Sequence, residues 1–402
     1  MKTNLLQKWT QTSLVLRILV GLVIGVALGL AVPQWHGIGI LGVVFVGALK
    51  AIAPVLVALL VMSAIARAHK GNGPRFRLVI FLYLMTTLTA ALVAVSASFI
   101  WPVTLTLTDA TTGDAPDSLA SIFSSLLSNM VGNPLLSIIS ANYISILFWA
   151  VIFGLALRLV GSETTIKVVG DFASAISLVV SWVIQFAPFG ILGLVYTSVS
   201  ESGLEIFSTY GKVLLLLVGS MLFVGVVVNP LVHFLLLHRN PYPLLLKCLK
   251  ESGLNAFFTR SSAANIPINL DLCRKLGVDE EFYSVSIPLG ATINMNGAAV
   301  TITVLSLAAA HTVGVEVSFA SAIVLSVIAT LGACGASGVA GGSLLLVPMA
   351  CSFFGISPDV AMQAVAVGFI LGVVQDSMET ALNSSSDAFF TATADLYERN
   401  KH

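Results

Sequence analysis

Asp376, Glu379, Asn383 and Asp387 follow one another at spacings of three, four and four within the apolar stretch Val373–Asp387. On a helix of 3.6 residues per turn they share one face. An ionised group at bilayer depth costs roughly 2.5–3.5 kcal/mol on insertion scales, so such residues face a cavity or a partner rather than fill a core. Three carboxylates and one amide supply chiefly oxygen acceptors, a set suited to a hard cation and to the ammonium of a small polar solute.

Three further polar interruptions lie upstream. Thr259-Arg260-Ser261-Ser262-Ala263-Ala264-Asn265-Ile266-Pro267 divides the apolar material of Leu244–Leu276, with Lys247 and Lys250 before it and Arg274 and Lys275 after it. Each side is too short to cross a bilayer alone, and both ends are basic, so the segment reads as a re-entrant hairpin with a polar tip. Phe319–Phe354 repeats the plan with a glycine-rich middle, Gly332–Ser343. Glycine weakens a continuous helix by about 1 kcal/mol relative to alanine and suits a tight tip whose backbone faces a ligand. Between them, Tyr283–His311 is interrupted by Asn294-Met295-Asn296-Gly297, an unwound stretch whose carbonyls suit a cation. Plainer readings stand beside these: glycines as packing surfaces, Ser261 and Ser262 bonded to their own helix, Asn294 and Asn296 as interhelical contacts, and Arg260 paired with a carboxylate.

The elements that must position these groups are membrane helices. Of 402 residues 57% are hydrophobic and only 9% charged, against about 25% charged in a soluble domain. The chain is an all-α polytopic membrane protein. Further apolar runs of spanning length cover Leu14–Val32, Ile38–Ala66, Leu78–Trp101, Ile144–Val160, Phe172–Ser200 and Val213–Leu237. Arg67, Lys70, Arg75 and Arg77 mark one cytoplasmic loop; Asp109, Asp114 and Asp117 mark an outer one. Arg158 and Lys167 return inside, Glu201 and Glu205 lie outside, and Arg239, Lys247 and Lys250 return inside again. This alternation puts both termini in the cytoplasm. Met1–Val32 reads as an uncleaved first helix rather than a secretory signal. Leu119–Ile139 reads as interfacial or as a broken span, with both left open.

Several function classes drop out. Lys+Arg and Asp+Glu are 19 each and the basic residues are scattered in loops, which excludes a nucleic-acid partner. No G-x-x-x-x-G-K-[ST] loop occurs, against an ATP-driven pump. Cys248, Cys273, Cys334 and Cys351 lack metal-ligand spacing and read as small buried residues. No histidine partners the serines as in a hydrolase, so no enzyme activity is expected.

The order hairpin, broken helix, hairpin, polar helix is that of an inverted repeat whose interrupted helices meet at mid-membrane, a mark of secondary transporters. At Arg260–Ser262, Asn294–Gly297, Gly338–Ser343 and the Asp376–Asp387 face, the chain resembles the dicarboxylate/amino acid:cation symporter family, and within it the bacterial sodium/serine-threonine symporters. The resemblance implies about eight transmembrane helices plus two re-entrant hairpins, divided into scaffold and transport domains of the elevator type, in a homotrimer in the bacterial inner membrane. Residues 1–240 would be mainly scaffold, with the third helix near 78–101 and the sixth near 213–237 packed on the transport domain. Residues 241–395 would form the transport core: hairpin 244–276, broken helix 283–311, hairpin 319–354 and last helix 359–391. Residues 396–402 would be a cytoplasmic tail.

The resemblance also implies roles. Asp376 matches the aspartate that holds the substrate's amino group, and Asn383 an asparagine that contacts substrate. Ser261, Ser262, Gly338, Val339, Gly341 and Thr380 would lie around the substrate. Asp387, with Gly290, Asn294 and Asn383, matches a sodium site; Thr292 matches a second under the later hairpin; Tyr83, Thr86, Thr87 and Asn296 match a third. Two departures matter. Glu379 stands where acidic-substrate members carry an arginine, which favours a neutral side chain that donates a hydrogen bond and disfavours aspartate and glutamate; Glu379 paired with Arg260 is the plainer reading. Asn296 stands where sodium-rich members carry an aspartate, which predicts fewer coupled sodium ions. Ala340 replaces the usual proline of the second tip. The expected activity is sodium-coupled uptake of small neutral amino acids, serine and threonine foremost. Proton coupling, amino-acid exchange and an ion channel are the alternatives.

Overall fold

The computed structural model describes residues 12–67, 73–107, 128, 130–336 and 341–400, and no strand occurs among them. Among these residues, eight stretches are long and apolar enough to cross a membrane: Leu14–Ala31, His36–Arg67, Pro74–Ile100, Tyr143–Val160, Glu163–Gln185, Ala187–Leu237, Glu280–Thr312 and Pro358–Arg399.

The outer helices bury narrow stripes. In Leu14–Ala31 the inward positions include Gly21, Gly25 and Gly29, one glycine per turn. A Cβ at these glycines would sit 2.2 Å from the Pro188 carbonyl oxygen, 2.7 Å from that of Leu192 and 3.0 Å from that of Tyr196. The stripe thus lets this helix lie against the backbone of Ala187–Ser202, the close approach that small residues permit between membrane helices. Its other face leaves Leu16, Leu19, Val23 and Leu30 exposed, as lipid contact requires.

The single run expected over Phe172–Ser200 is two helices. Glu163–Gln185 ends at Phe186, and Ala187–Ser202 begins there with Pro188 in its first turn. Proline has no N–H and its ring crowds the carbonyl four residues earlier, so the run bends. Of Leu119–Ile139, residues 119–127 lie outside the described residues; a short helix, Pro134–Ile139, follows an Asn133 cap.

The centre holds the broken helix and the last helix. Every residue from Asn296 to Ala310 is buried, and the segment carries no charged side chain. The chain enters it from Glu280–Ile293 through Asn294 (φ −95°, ψ 73°) and Met295 (φ −113°, ψ 53°), both outside helical geometry. Pro358–Arg399 runs 42 residues, beyond the end at 391 that the resemblance implies. Its last turns are held by ion pairs of Asp395 with Arg75 at 3.2 Å and Arg399 at 2.8 Å.

Two hairpins flank this centre. The first runs from Tyr242 to Thr259, turns at Arg260 and returns over Ser262–Lys275. Arg260 is left-handed (φ 53°), a conformation that costs a side-chain-bearing residue about 1–3 kcal/mol and persists where the surroundings over-determine it. Asn265 Nδ2 donates to Ser252 Oγ at 2.8 Å and Ser384 Oγ at 2.7 Å, tying both arms to the last helix. The second hairpin comprises Phe319–Ala333 and, after residues 337–340, which lie outside the described set, Gly342–Leu346 and Val347–Phe353. Gly341 (φ 73°) opens the return arm, where a Cβ would also meet the Phe369 ring at 2.9 Å.

Candidate functional site

The polar face of the last helix is buried: Asp376, Glu379, Asn383 and Asp387 are 3%, 6%, 3% and 0% exposed. The two hairpins and the break in the central helix converge on this face.

Asp376 is reached from both hairpins. Arg260 Nε donates to Oδ2 at 2.6 Å, and the Gly341 N–H donates to Oδ1 at 3.0 Å. Arg260 is therefore paired with Asp376 and not, as the plainer reading of Glu379 had it, with Glu379. The pair also accounts for the left-handed turn: the ion pair holds the arginine where the chain reverses.

Glu379 is held by neutral donors. Thr301 Oγ1 donates to Oε2 at 2.7 Å, Ser343 Oγ at 2.8 Å and Gln375 Nε2 at 2.6 Å. Sequence reasoning singled out none of these three as a site residue. Lone polar residues in apolar helices have many ordinary roles, and only their spacing to Glu379 in space distinguishes them.

Around the break, Asn383 Oδ1 accepts the Gly297 N–H at 2.7 Å, satisfying a donor at the start of the second half-helix. Gly297 has no room for a side chain: a Cβ would lie 2.8 Å from Glu379 Cα. Asn294 Nδ2 donates to Asp387 Oδ1 and to Ser386 Oγ, both at 2.8 Å. The Gly290 carbonyl accepts the Asn294 N–H at 2.9 Å, and a Cβ on Gly290 would lie 2.8 Å from Asp387 Oδ1. Two oxygens here, Asp387 Oδ2 and Asn294 Oδ1, are buried and have no hydrogen-bond partner among the described residues. A buried carboxylate oxygen without a partner is costly. Unsatisfied oxygens on two side chains bonded to each other at a glycine-floored break fit a small hard cation carried as cargo, and Asp387 would supply its charge.

On the Pro74–Ile100 helix, Tyr83 Oη lies 2.8 Å from Thr391 Oγ1 and 3.3 Å from each of the backbone carbonyl oxygens of Ser286 and Asp387. Thr87 Oγ1 lies 3.0 Å and Thr86 Oγ1 3.4 Å from Asn296 Oδ1. Each hydroxyl also lies 2.7 or 2.8 Å from a carbonyl of its own helix, Leu82 for Thr86 and Tyr83 for Thr87. A hydroxyl has one proton to donate. Turning the amide over lets Nδ2, unpartnered as placed, donate to both threonine oxygens. In either orientation the amide itself serves as partner to both threonines.

The remaining marked residues are less central. Ser261 caps the returning arm by accepting the Ala264 N–H at 3.2 Å, and Ser262 is buried beside it. Thr380 Oγ1 donates to the Asp376 carbonyl at 2.7 Å. Gly338 and Val339 lie outside the described residues. Thr292 is exposed, bonded to its own helix at Leu289. It borders a cavity of about 600 Å³ between Ile40–Arg67, Glu163–Gln185 and the first half of the broken helix, also lined by Cys334 and Gly335. None of Asp376, Glu379, Asn383 and Asp387 is among the residues that line this cavity.

Comparison with known proteins gives one consistent result. The model of the sodium:dicarboxylate symporter family matches residues 14–396. Serine/threonine transporter SstT of Bifidobacterium adolescentis is 57% identical over 386 residues, covering 96% of this chain and 90% of that protein. The protein of the same name from Streptococcus agalactiae is 56% identical over 392 residues, 97% of each chain. That of Streptococcus thermophilus is 54% identical over 389 residues, 96% of each.

Proposed function

This chain belongs to the sodium:dicarboxylate symporter family, and from that premise we propose that it takes up serine, threonine and similar small neutral amino acids together with sodium. The observation that carries the reading is the unpartnered Asp387 Oδ2, on the helix that presents Asp376 to both hairpins, together with the unpartnered Asn294 Oδ1 of the side chain bonded to Asp387. One site for a cation and one for an ammonium then lie about three turns apart on one rigid helix. The names of the relatives support the substrate.

In this reading sodium binds first, at Asp387, Asn294 and the carbonyls at the break, with Asn383 holding Gly297 in place. The amino acid's ammonium then takes an Asp376 oxygen, displacing Arg260 or Gly341. Its carboxylate meets Ser261, Ser262 and hairpin amides, and the second hairpin closes at Gly338, Val339 and Gly341. Thr292 serves a further sodium under that hairpin. Tyr83, Thr86, Thr87 and Asn296 form a site whose charge has been replaced by an amide, so fewer sodium ions are coupled than in members with an aspartate there.

The transport core, 241–395, moves as an elevator against a scaffold built largely from 1–240, in a homotrimer of the bacterial inner membrane with both termini in the cytoplasm. The glycine-striped and lipid-facing outer helices and the basic loops support that arrangement.

Purified protein in liposomes tests the reading. An inward sodium gradient should drive accumulation of labelled serine, and unlabelled threonine should compete where aspartate does not. Uptake indifferent to sodium, or driven by a proton gradient alone, would reject it.

A further inference from the structure

Glu379 is gripped by one oxygen only. The donors from Thr301, Ser343 and Gln375 all end on Oε2, and they come from three elements: the second half of the broken helix, the return arm of the second hairpin, and the preceding turn of the last helix. Gln375 Nε2 also donates to Thr301 Oγ1 at 2.7 Å, which directs the threonine's single proton to Glu379. Gln375, Ser343 and Thr301 are each at most 1% exposed. Oε1 takes no hydrogen bond from any described residue.

We propose that Thr301, Ser343 and Gln375 form a clamp that fixes Glu379 through Oε2 and leaves Oε1 as the acceptor for a substrate hydroxyl, making these three the residues that select serine and threonine over alanine. The proposal rests on the reading that small neutral amino acids bind at Asp376. Glu379 lies one turn along the same face from Asp376, so an amino acid held there by its ammonium has its side chain within the reach of a short hydroxyl. Selectivity follows from polar satisfaction. Serine gives Oε1 a donor, whereas alanine buries it without one, and a site built to bond a hydroxyl penalises the analogue that lacks it. A loosely held carboxylate would rotate to other partners and lose the discrimination, which is why the grip on Oε2 matters.

Ser343 has a second role in the clamp. Gly341 and Ser343, two residues apart on one arm, contact Asp376 and Glu379 respectively. The arm that closes over the substrate thus also orients the group that reads its side chain.

The test uses full-length protein in liposomes under an inward sodium gradient, with unlabelled serine, threonine and alanine competing against labelled serine. The variants are Ser343→Ala, Thr301→Val and Gln375→Leu, with Thr301→Ser as the conservative control. The ratio of the alanine to the serine inhibition constant should fall about five- to tenfold in the first three, the worth of one hydrogen bond, and be restored in Thr301→Ser. Ser343→Ala removes one oxygen from a short arm and keeps the test open should a helix variant fail to fold. Serine and alanine weakening together, with the ratio unchanged, would overturn the clamp. Wild-type protein that shows no sodium-driven serine uptake overturns the underlying reading, a failure seen before any variant is made, and removes the clamp with it.

Discussion

Arg260 Nε lies 2.6 Å from Asp376 Oδ2, joining the tip of the first hairpin to the polar face of the last helix across 116 positions of sequence. Both residues are buried. Removing one partner of such a pair strands the other, at a cost of about 3–5 kcal/mol. Arg260→Ala is therefore expected to lower the thermal unfolding temperature of the purified protein. Serine, whose ammonium can replace the guanidinium, should then stabilise the variant more than it stabilises the wild type. An unchanged unfolding temperature and an unchanged serine shift would remove the pair from the account.

Asn296 gives a prediction of the opposite kind. Its amide partners Thr86 and Thr87 without an added charge. Asn296→Asp removes the donor and installs an anion, which a hard cation would neutralise. Uptake by this variant should depend more steeply on sodium, with a higher Hill coefficient, and the protein should be less stable than wild type in sodium-free buffer. A sodium dependence of unaltered slope would contradict the proposed role of the amide.

Gly297 lets the central helix touch the last one. A Cβ there would sit 2.8 Å from Glu379 Cα and 2.9 Å from its carbonyl oxygen, both backbone atoms that cannot swing aside. Gly297→Ala is expected to destabilise the protein by about 1–3 kcal/mol, the usual range for overpacking, read as a lower unfolding temperature. Wild-type stability would mean that the two helices are free to separate.

Glu379 faces three donors. Glu379→Arg would replace the acceptor shared by these three donors with a further donor group. Serine uptake should fall at least about a hundredfold, since a lost charge-assisted bond and stranded polar groups add together. Labelled aspartate measured alongside reports whether reversed charge admits a side-chain carboxylate. Serine uptake at the wild-type rate would exclude Glu379 from substrate selection.

Much of the membrane fold was legible because membrane helices announce themselves by length and apolarity, and the polar face Asp376–Asp387 because ionised groups are rare at that depth. The break at Asn294–Gly297 was legible for the same reason. The bend at Phe186 was hidden, since apolarity runs through it and only the missing N–H of Pro188 marks the spot. The resemblance ends the last helix at 391, and the ion pairs of Asp395 carry it on to Arg399. Thr301 and Ser343 could not be found from spacing, since they meet Glu379 from two other elements, whereas Gln375 stands four residues before Glu379 on the same helix. Thr292, expected at a second sodium site under the later hairpin, borders the 600 Å³ cavity together with Cys334 and Gly335 of that hairpin.

The central claim is that one buried face binds a cation and an amino acid in a mutually dependent way, and reciprocal binding tests it most directly. Serine affinity is measured in sodium-rich and sodium-poor buffer, and sodium half-saturation with and without serine. Linkage requires the two factors to be equal. The account predicts equal factors well above one in the wild type and a factor near one in Asp387→Ala. Serine binding to the wild type with the same affinity at every sodium concentration would contradict it.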